Sequence, residues 1–165
     1  MLDLWFFFIL VLYKGDIMSS KSKTKGRSFE YVVRDLFSKH FNNKFERVPL
    51  SGALEYLKGD VYCPWLPNFT YCIEAKHHKE INWNNLLTAK KSALLLDFWK
   101  QTIREADTMK KEPLLIYKWD RSKIYCCWSN EVEVHNQITI RVDDLYFKMG
   151  LFDEWVIEAV KLEPT

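Results

Sequence analysis

Residues Leu57–Lys79 read LKGDVYCPWLPNFTYCIEAKHHK, and this stretch decides how the rest of the chain is read. Two apolar-flanked segments meet at Pro64, Pro67 and Asn68, residue types that favour turns, so the pattern predicts a β-hairpin. Asp60 opens the first arm straight after Gly59, and Glu74-Ala75-Lys76 ends the second. Residues two apart on a strand share a face, so Glu74 and Lys76 are expected to project together toward Asp60. Two carboxylates about 4 Å apart repel by on the order of 4 kcal/mol at an effective dielectric of 20. A divalent cation with oxygen ligands removes that cost. The residue types fit Mg²⁺, with Mn²⁺ as a substitute. Asp60 and Glu74 would be ligands, the Ala75 carbonyl a third, and water and a phosphate of DNA would fill the rest. Lys76 would orient the attacking water and offset charge developing on that phosphate. The plainer alternative is a surface strand end with a neighbouring Glu–Lys pair of little energetic weight.

The bulk properties are consistent with one soluble domain with a real core: 165 residues, 48% hydrophobic and 28% charged. Net charge is only +2, but residues 131–165 hold eight acids against Arg141, Lys148 and Lys161, a balance of −5 that leaves +7 on residues 1–130. A basic body points to a polyanionic partner. Cys63, Cys72, Cys126 and Cys127 form no C-x-x-C pair and no zinc spacing, and their apolar neighbours suggest buried thiols in the cytoplasm. Leu4–Tyr13 is an apolar run of ten residues, too short for a span of roughly 20. It also lacks the flanks of a secretory signal. Residues 1–24 are therefore expected to be a non-core segment and a basic arm, with no membrane role; residues 25–130 are the expected functional domain. Residues 131–165 are an acidic extension packed on it.

Lys21, Lys23, Lys25 and Arg27 read as a mobile arm that can track phosphates. A stripe of Phe29, Val32, Val33, Leu36, Phe37 and Phe41 predicts a helix over 28–41, with Glu30 in its first turn, where a carboxylate suits the helix dipole. Strands are predicted at Phe45–Leu50, Asp60–Cys63, Phe69–Lys76, Leu114–Trp119 and Ile124–Trp128. Asn84–Met109 is one helix, or two joined near Asp97, closed by Pro113. Beyond residue 130, Val132–Val134 and Ile138–Val142 read as strands and Phe152–Val160 as a helix. The order implies an α/β fold: a mixed central sheet flanked by helices.

Asp60, thirteen intervening residues, then Glu74-x-Lys76 resembles the PD-(D/E)xK nuclease site, with Gly59 where the motif's proline often stands. Lys25-Gly26-x-x-Phe29-Glu30, Arg47-x-x-x-Ser51-Gly52, Leu114-Leu115-Ile116 and Asp120-Arg121 are similar to archaeal-type Holliday junction resolvases and their phage relatives. The resemblance covers roughly residues 25–128. It implies a restriction-endonuclease-like sheet and a Mg²⁺-dependent endonuclease acting as a homodimer on four-way junctions, in the host cytoplasm if phage-encoded. It implies Glu30 as a further acidic ligand, overtaking the dipole role. Ser51 becomes a serine beside the scissile phosphate; its alternative is a simple turn residue before Gly52. Together these give a catalytic set of Glu30, Ser51, Asp60, Glu74 and Lys76. Gln101 resembles a glutamine that some relatives place near the metal, while Trp99 reads as core. Arg47, Lys58, His77 and Lys79 join the arm as DNA contacts. His77 and His78, adjacent on a strand, cannot share a ligand role. The rivals are a restriction or repair endonuclease acting on duplex DNA and a non-catalytic DNA-binding module.

Overall fold

The computed structural model describes residues 23–49, 56–88 and 93–163. The expectations for Leu4–Tyr13, Lys21 and Ser51 lie outside these residues. Helix α1 occupies 23–40. Strands β1 (Glu46–Arg47), β2 (Val61–Tyr62) and β3 (Tyr71–His78) follow, then helices α2 (Trp83–Leu87) and α3 (Leu94–Met109). The chain continues through β4 (Glu112–Trp119), β5 (Tyr125–Trp128), β6 (Gln137–Val142), β7 (Leu145–Leu151) and α4 (Phe152–Leu162). The strands form one mixed sheet in the order β1-β2-β3-β4-β5-β7-β6. Only β3 and β4 run parallel, in register from Tyr71 opposite Glu112 to His78 opposite Trp119; every other pairing is antiparallel. A parallel pair needs a crossover, and α2–α3 supply it.

Alternation along the strands divides the core in two. Tyr71, Ile73 and Ala75 of β3 pack with Leu114, Ile116, Cys126 and Trp128 under α1 (Phe29, Val33, Phe37) and α4 (Phe152, Trp155, Val156, Ala159). Leu115, Tyr117, Cys127, Phe147 and Met149 face the other way, under Leu86, Leu95, Leu96 and Trp99 of α2 and α3. The domain is thus a helix–sheet–helix sandwich, and the even-numbered residues of β3 (Cys72, Glu74, Lys76) point to the α3 side. All four cysteines are buried free thiols.

The structure departs from several expectations. Helix α1 is already formed at residue 23, so Lys23, Lys25 and Arg27 lie on a helix and not on a mobile arm, and Glu30 is beyond the first turn, where the dipole acts most strongly. Val32 is 45% exposed, on the rim of the stripe and outside the core. The long amphipathic segment is two helices, but the break precedes Leu94 and does not fall at Asp97, which instead lies in the first turn of α3. Lys110, in the left-handed region, ends α3 (φ 54), with the Lys111 N–H returning to the Ala106 carbonyl; Pro113 lies within β4.

Val132–Val134 is not a strand. Its backbone is tied up by side chains: the Trp128 indole and Lys148 both donate to the Val132 carbonyl, and the Val134 N–H goes to Gln137. Strand β7 had no counterpart in the sequence reading, because Lys148 and Gly150 interrupt its apolar pattern. Lys148 is buried in that role, and a Cβ on Gly150 would lie 3.2 Å from the Asn136 carbonyl and 3.3 Å from Trp128. Residues 137–162 therefore contribute two strands and a core helix to the same sheet as the hairpin. Leu95, Leu96 and Trp99 are buried within the monomer, Trp99 as the sequence predicts.

Candidate active site

The hairpin places its carboxylates as the alternation requires. Asp60 is pinned on both edges by backbone: its N–H donates to the Ile73 carbonyl (2.8 Å) and its carbonyl accepts from Val48 (2.9 Å). Gly59 makes this approach possible, at φ +82 and with its Cα so near the next strand that a Cβ would lie 2.7 Å from the Ile73 carbonyl oxygen. Asp60 Oδ2 accepts the Ala75 N–H at 2.9 Å. Glu74 Oε1 meets the Lys76 ammonium and, at 2.9 Å, the side-chain amide of Gln101 on α3. Among the described residues, no hydrogen bond falls on Asp60 Oδ1 or Glu74 Oε2. Asp60 and Glu74 are only 6% and 2% exposed, so water does little to screen them.

The electrostatics follow from that burial. Burial raises the Asp60 carboxyl above its ordinary value; the Ala75 N–H and Lys76 oppose the shift, while Glu30 and Glu105 add to it. Burial likewise raises Glu74, and repulsion from Asp60 pushes it further against the pull of Lys76. Burial alone would lower Lys76, but Glu74, Asp60 and Glu105 outweigh it and hold the ammonium above the ordinary lysine value. Lys76 Nζ also stands 5.7 Å from the centroid of the Phe98 ring.

A profile of the family described as "Phage putative PDDEXK endonuclease" matches residues 21–155. The chain belongs to this phage PD-(D/E)xK endonuclease family. Protein D14 of Escherichia phage T5 is 33% identical over 153 residues, which span 86% of this chain and 96% of that protein. No solved structure matches the chain. Membership in the phage PD-(D/E)xK family makes the protein a nuclease with DNA as its substrate, on the restriction-endonuclease-like fold that the resemblance implied. The family match runs well past residue 128, where the resemblance in sequence had stopped.

Nucleases of the PD-(D/E)xK superfamily generally use divalent metals. Among the described residues no three His, Cys, Asp or Glu side chains converge into a ready-made metal cage. The donor set fits a cation such as Mg²⁺ nonetheless, which takes one or two carboxylates and completes its shell with water and substrate phosphate. Two buried carboxylates, each with one oxygen committed and one uncommitted, supply that much.

The other predicted residues make contacts of their own. Glu30 is bound to Arg47, whose guanidinium also lies 4.7 Å from the centroid of the Tyr31 ring. Glu30 thus touches Asp60 only through its field. Lys25 pairs with Asp120, and His77 Nε2 lies 3.2 Å from the same carboxylate. Burial and the Lys25 charge keep the His77 imidazole below its ordinary value despite Asp120. His78 and Lys79 are exposed at the end of β3, as are Lys23 and Arg27 on α1. Lys58 is half-buried and lines an apolar cavity of about 220 Å³ with Leu57, Val61 and Cys72.

Sequence reasoning missed Glu105. It lies one helical turn beyond Gln101, where its Oε1 accepts from the Gln101 amide and its Oε2 from the Gly59 N–H, each at 2.9 Å. The i,i+4 spacing was visible. What was not visible is that this face of α3 crosses the hairpin at Gly59. Among the described residues no helix is long and apolar enough to cross a membrane.

Proposed function

We propose that this nuclease is a Mg²⁺-dependent, structure-selective endodeoxyribonuclease, a Holliday junction resolvase that hydrolyses phosphodiester bonds in four-way junctions as a homodimer in the host cytoplasm. The observation that carries the catalytic part is the convergence of Asp60 and Glu74, buried together beside one ammonium, with an uncommitted oxygen on each. Such a pair is a standing cost to the fold, and a phosphate-binding cation offsets it. The junction preference is supported by the resemblance of the Lys25–Glu30 and Arg47–Ser51 segments to resolvases. A two-fold enzyme would match the symmetry of a four-way junction.

In this reading Asp60, Glu74 and the Ala75 carbonyl hold the cation. When bound there, such a cation would supply Lewis-acid chemistry for phosphodiester hydrolysis. Lys76, kept charged by its carboxylates, lies against Glu74 Oε1 and offsets the charge that grows on the phosphate. Ser51 contributes beside the scissile phosphate, and Glu30 acts through solvent or field. Lys23, Lys25, Arg27, Arg47, Lys58, His77 and Lys79, with Lys21 ahead of them in the sequence, are the DNA contacts of this reading, Lys25 and Arg47 exchanging Asp120 and Glu30 for phosphate on binding.

The test is one gel series with Mg²⁺, a labelled four-way junction and a linear duplex of the same sequence. Paired symmetric nicks on the junction alone support the resolvase. Cutting of the duplex moves the protein to the restriction or repair class. Binding without cleavage, unchanged by Asp60→Asn or Glu74→Gln, would sink the catalytic reading.

A further inference from the structure

Helix α3 meets the carboxylate pair through Gln101 and Glu105. Gln101 Nε2 lies 2.9 Å from both Glu74 Oε1 and Glu105 Oε1, so each amide hydrogen has a carboxylate oxygen to go to. The remaining Glu105 oxygen accepts the N–H of Gly59 at 2.9 Å, and Gly59 is the residue that delivers Asp60 to the site. We propose that Glu105 is the positioning residue of this active site: one carboxylate, holding Gly59 on one side and Gln101 on the other, sets how Asp60 and Glu74 face a divalent cation. The proposal rests on the nuclease reading and deepens it.

An amide side chain presents either its N–H₂ or its carbonyl to a neighbour, and an ionised carboxylate only accepts. With a carboxylate at position 105, the N–H₂ of Gln101 is the group that faces both Glu105 and Glu74. Glu74 Oε1 is then met by two donors, Gln101 and Lys76, which leaves Oε2 as the oxygen for a cation. At Asp60 the Ala75 N–H takes Oδ2 and leaves Oδ1. Both Glu105 oxygens are committed to their donors, so Glu105 works through its neighbours and not on the metal. Without it, the Gln101 amide is free to turn its carbonyl toward Glu74. The buried Gly59 backbone loses its partner at the same time, and the turn before Asp60 can relax.

Glu105→Gln and Glu105→Ala in the full chain separate this role from a structural one. Glutamine keeps the shape but must set its N–H₂ against either the Gly59 N–H or the Gln101 N–H₂, so one of the two bonds is lost. Alanine loses both. The measurements are Mn²⁺ affinity without DNA, read by electron paramagnetic resonance of free Mn²⁺, together with kcat and KM for DNA cleavage and the melting temperature. Glu105→Ala is expected to weaken Mn²⁺ binding and lower kcat by about 10–100-fold each, the range for partners that orient metal ligands. Glu105→Gln should fall between it and the wild type, and KM for DNA should be unchanged in both. Adding Gln101→Ala to Glu105→Ala should cost little more, because both break the same chain of bonds.

A lower melting temperature with wild-type Mn²⁺ affinity and kcat in both variants would make Glu105 structural and overturn the proposal. A raised KM with kcat intact would place it in DNA binding and overturn it as well. If the wild-type protein neither binds Mn²⁺ nor cuts DNA, the nuclease reading fails and takes this one with it. If the wild type does both and the variants match it, the positioning role alone fails.

Discussion

Two of the lysine–glutamate pairs on this sheet are built in opposite ways. In the middle of β7 the lysine is the buried partner: the Lys148 side chain is 7% exposed and Glu133 is 65% exposed. The Lys148 ammonium also donates to the Asn130 and Val132 carbonyls at 3.0 and 3.1 Å, so its charge is neutralised and its hydrogens are used. On β3 the glutamate is the buried partner, with Glu74 at 3% and Lys76 at 25%. Here a second buried carboxylate, Asp60, faces the same space, and the half-buried Glu105 stands behind it. One ammonium does not balance them. The first pair closes a loop onto the sheet; the second leaves negative charge in a place with little water. Unbalanced charge of this kind is costly to a fold, and it is the feature on which the proposed cation site rests.

Substitutions should move the two pairs in opposite directions. The largest effect is expected from Glu74→Gln, which should reduce cleavage by on the order of 10³-fold or more. The same change should raise the melting temperature of the metal-free protein, because it removes a buried repulsion. Calorimetry beside the cleavage gel checks both, and a variant that melts lower and still cuts would erase the contrast. Lys148→Ala is expected to lose about 1.5–3 kcal/mol by stranding the Asn130 carbonyl, while Val132 keeps the Trp128 indole, with Mn²⁺ affinity and kcat per folded molecule unchanged. Glu133→Ala, which removes only the exposed partner, should barely shift the melting temperature; denaturant titration of both variants tests this.

Next in size is Gly59→Ala, expected to cost about 1–3 kcal/mol for strain at a positive φ against a neighbouring strand. Unlike Lys148→Ala, it should also lower kcat, since it displaces Asp60. Normal kcat at reduced stability would separate Gly59 from the site.

The smallest effect is on pH. Burial and mutual repulsion raise Asp60 and Glu74 above their ordinary values of 3.8 and 4.5. Between the ordinary and the raised values the native metal-free chain binds more protons than the unfolded one. Stability therefore falls as pH rises through that window, and the loss is complete once both groups are ionised in the native state. A melting series from about pH 4.5 upward should show the decline. Mn²⁺ should reverse it, and Glu74→Gln should flatten it. A wild-type series that is already flat without metal would mean that the pair is neutralised by something else.

Much of this was legible in the sequence for a physical reason: a hairpin is local, and its period of two fixes which side chains share a face. The turn residues between Val61 and Tyr71 and the spacing of Glu74 and Lys76 were enough to bring Asp60, Glu74 and Lys76 together. Gln101 was found through resemblance, and Glu105 beside it was missed because no local pattern says where a helix crosses a sheet. Glu30 was expected near the metal, but in the structure Arg47 holds it. Strand β7 was hidden for the same kind of reason. Lys148 and Gly150 break its alternation, and each makes sense only beside partners (Asn130, Val132, Asn136) that the sequence does not place.

The position of β7 between β5 and β6 bears on how the protein is made. Its neighbour β5 cannot be covered until residues 145–151 exist. Phe37 of the first helix waits longer still, since its ring neighbours include Phe152 and Trp155 at centroid distances of 5.6 and 6.3 Å. A ribosome adding about 5–20 residues per second leaves that N-terminal helix with an open flank for several seconds while the hairpin's carboxylates are already strung out ahead of it. The nascent chain holds Asp60, Glu74 and Lys76 well before it can hold them still, and α4 is what ends that interval.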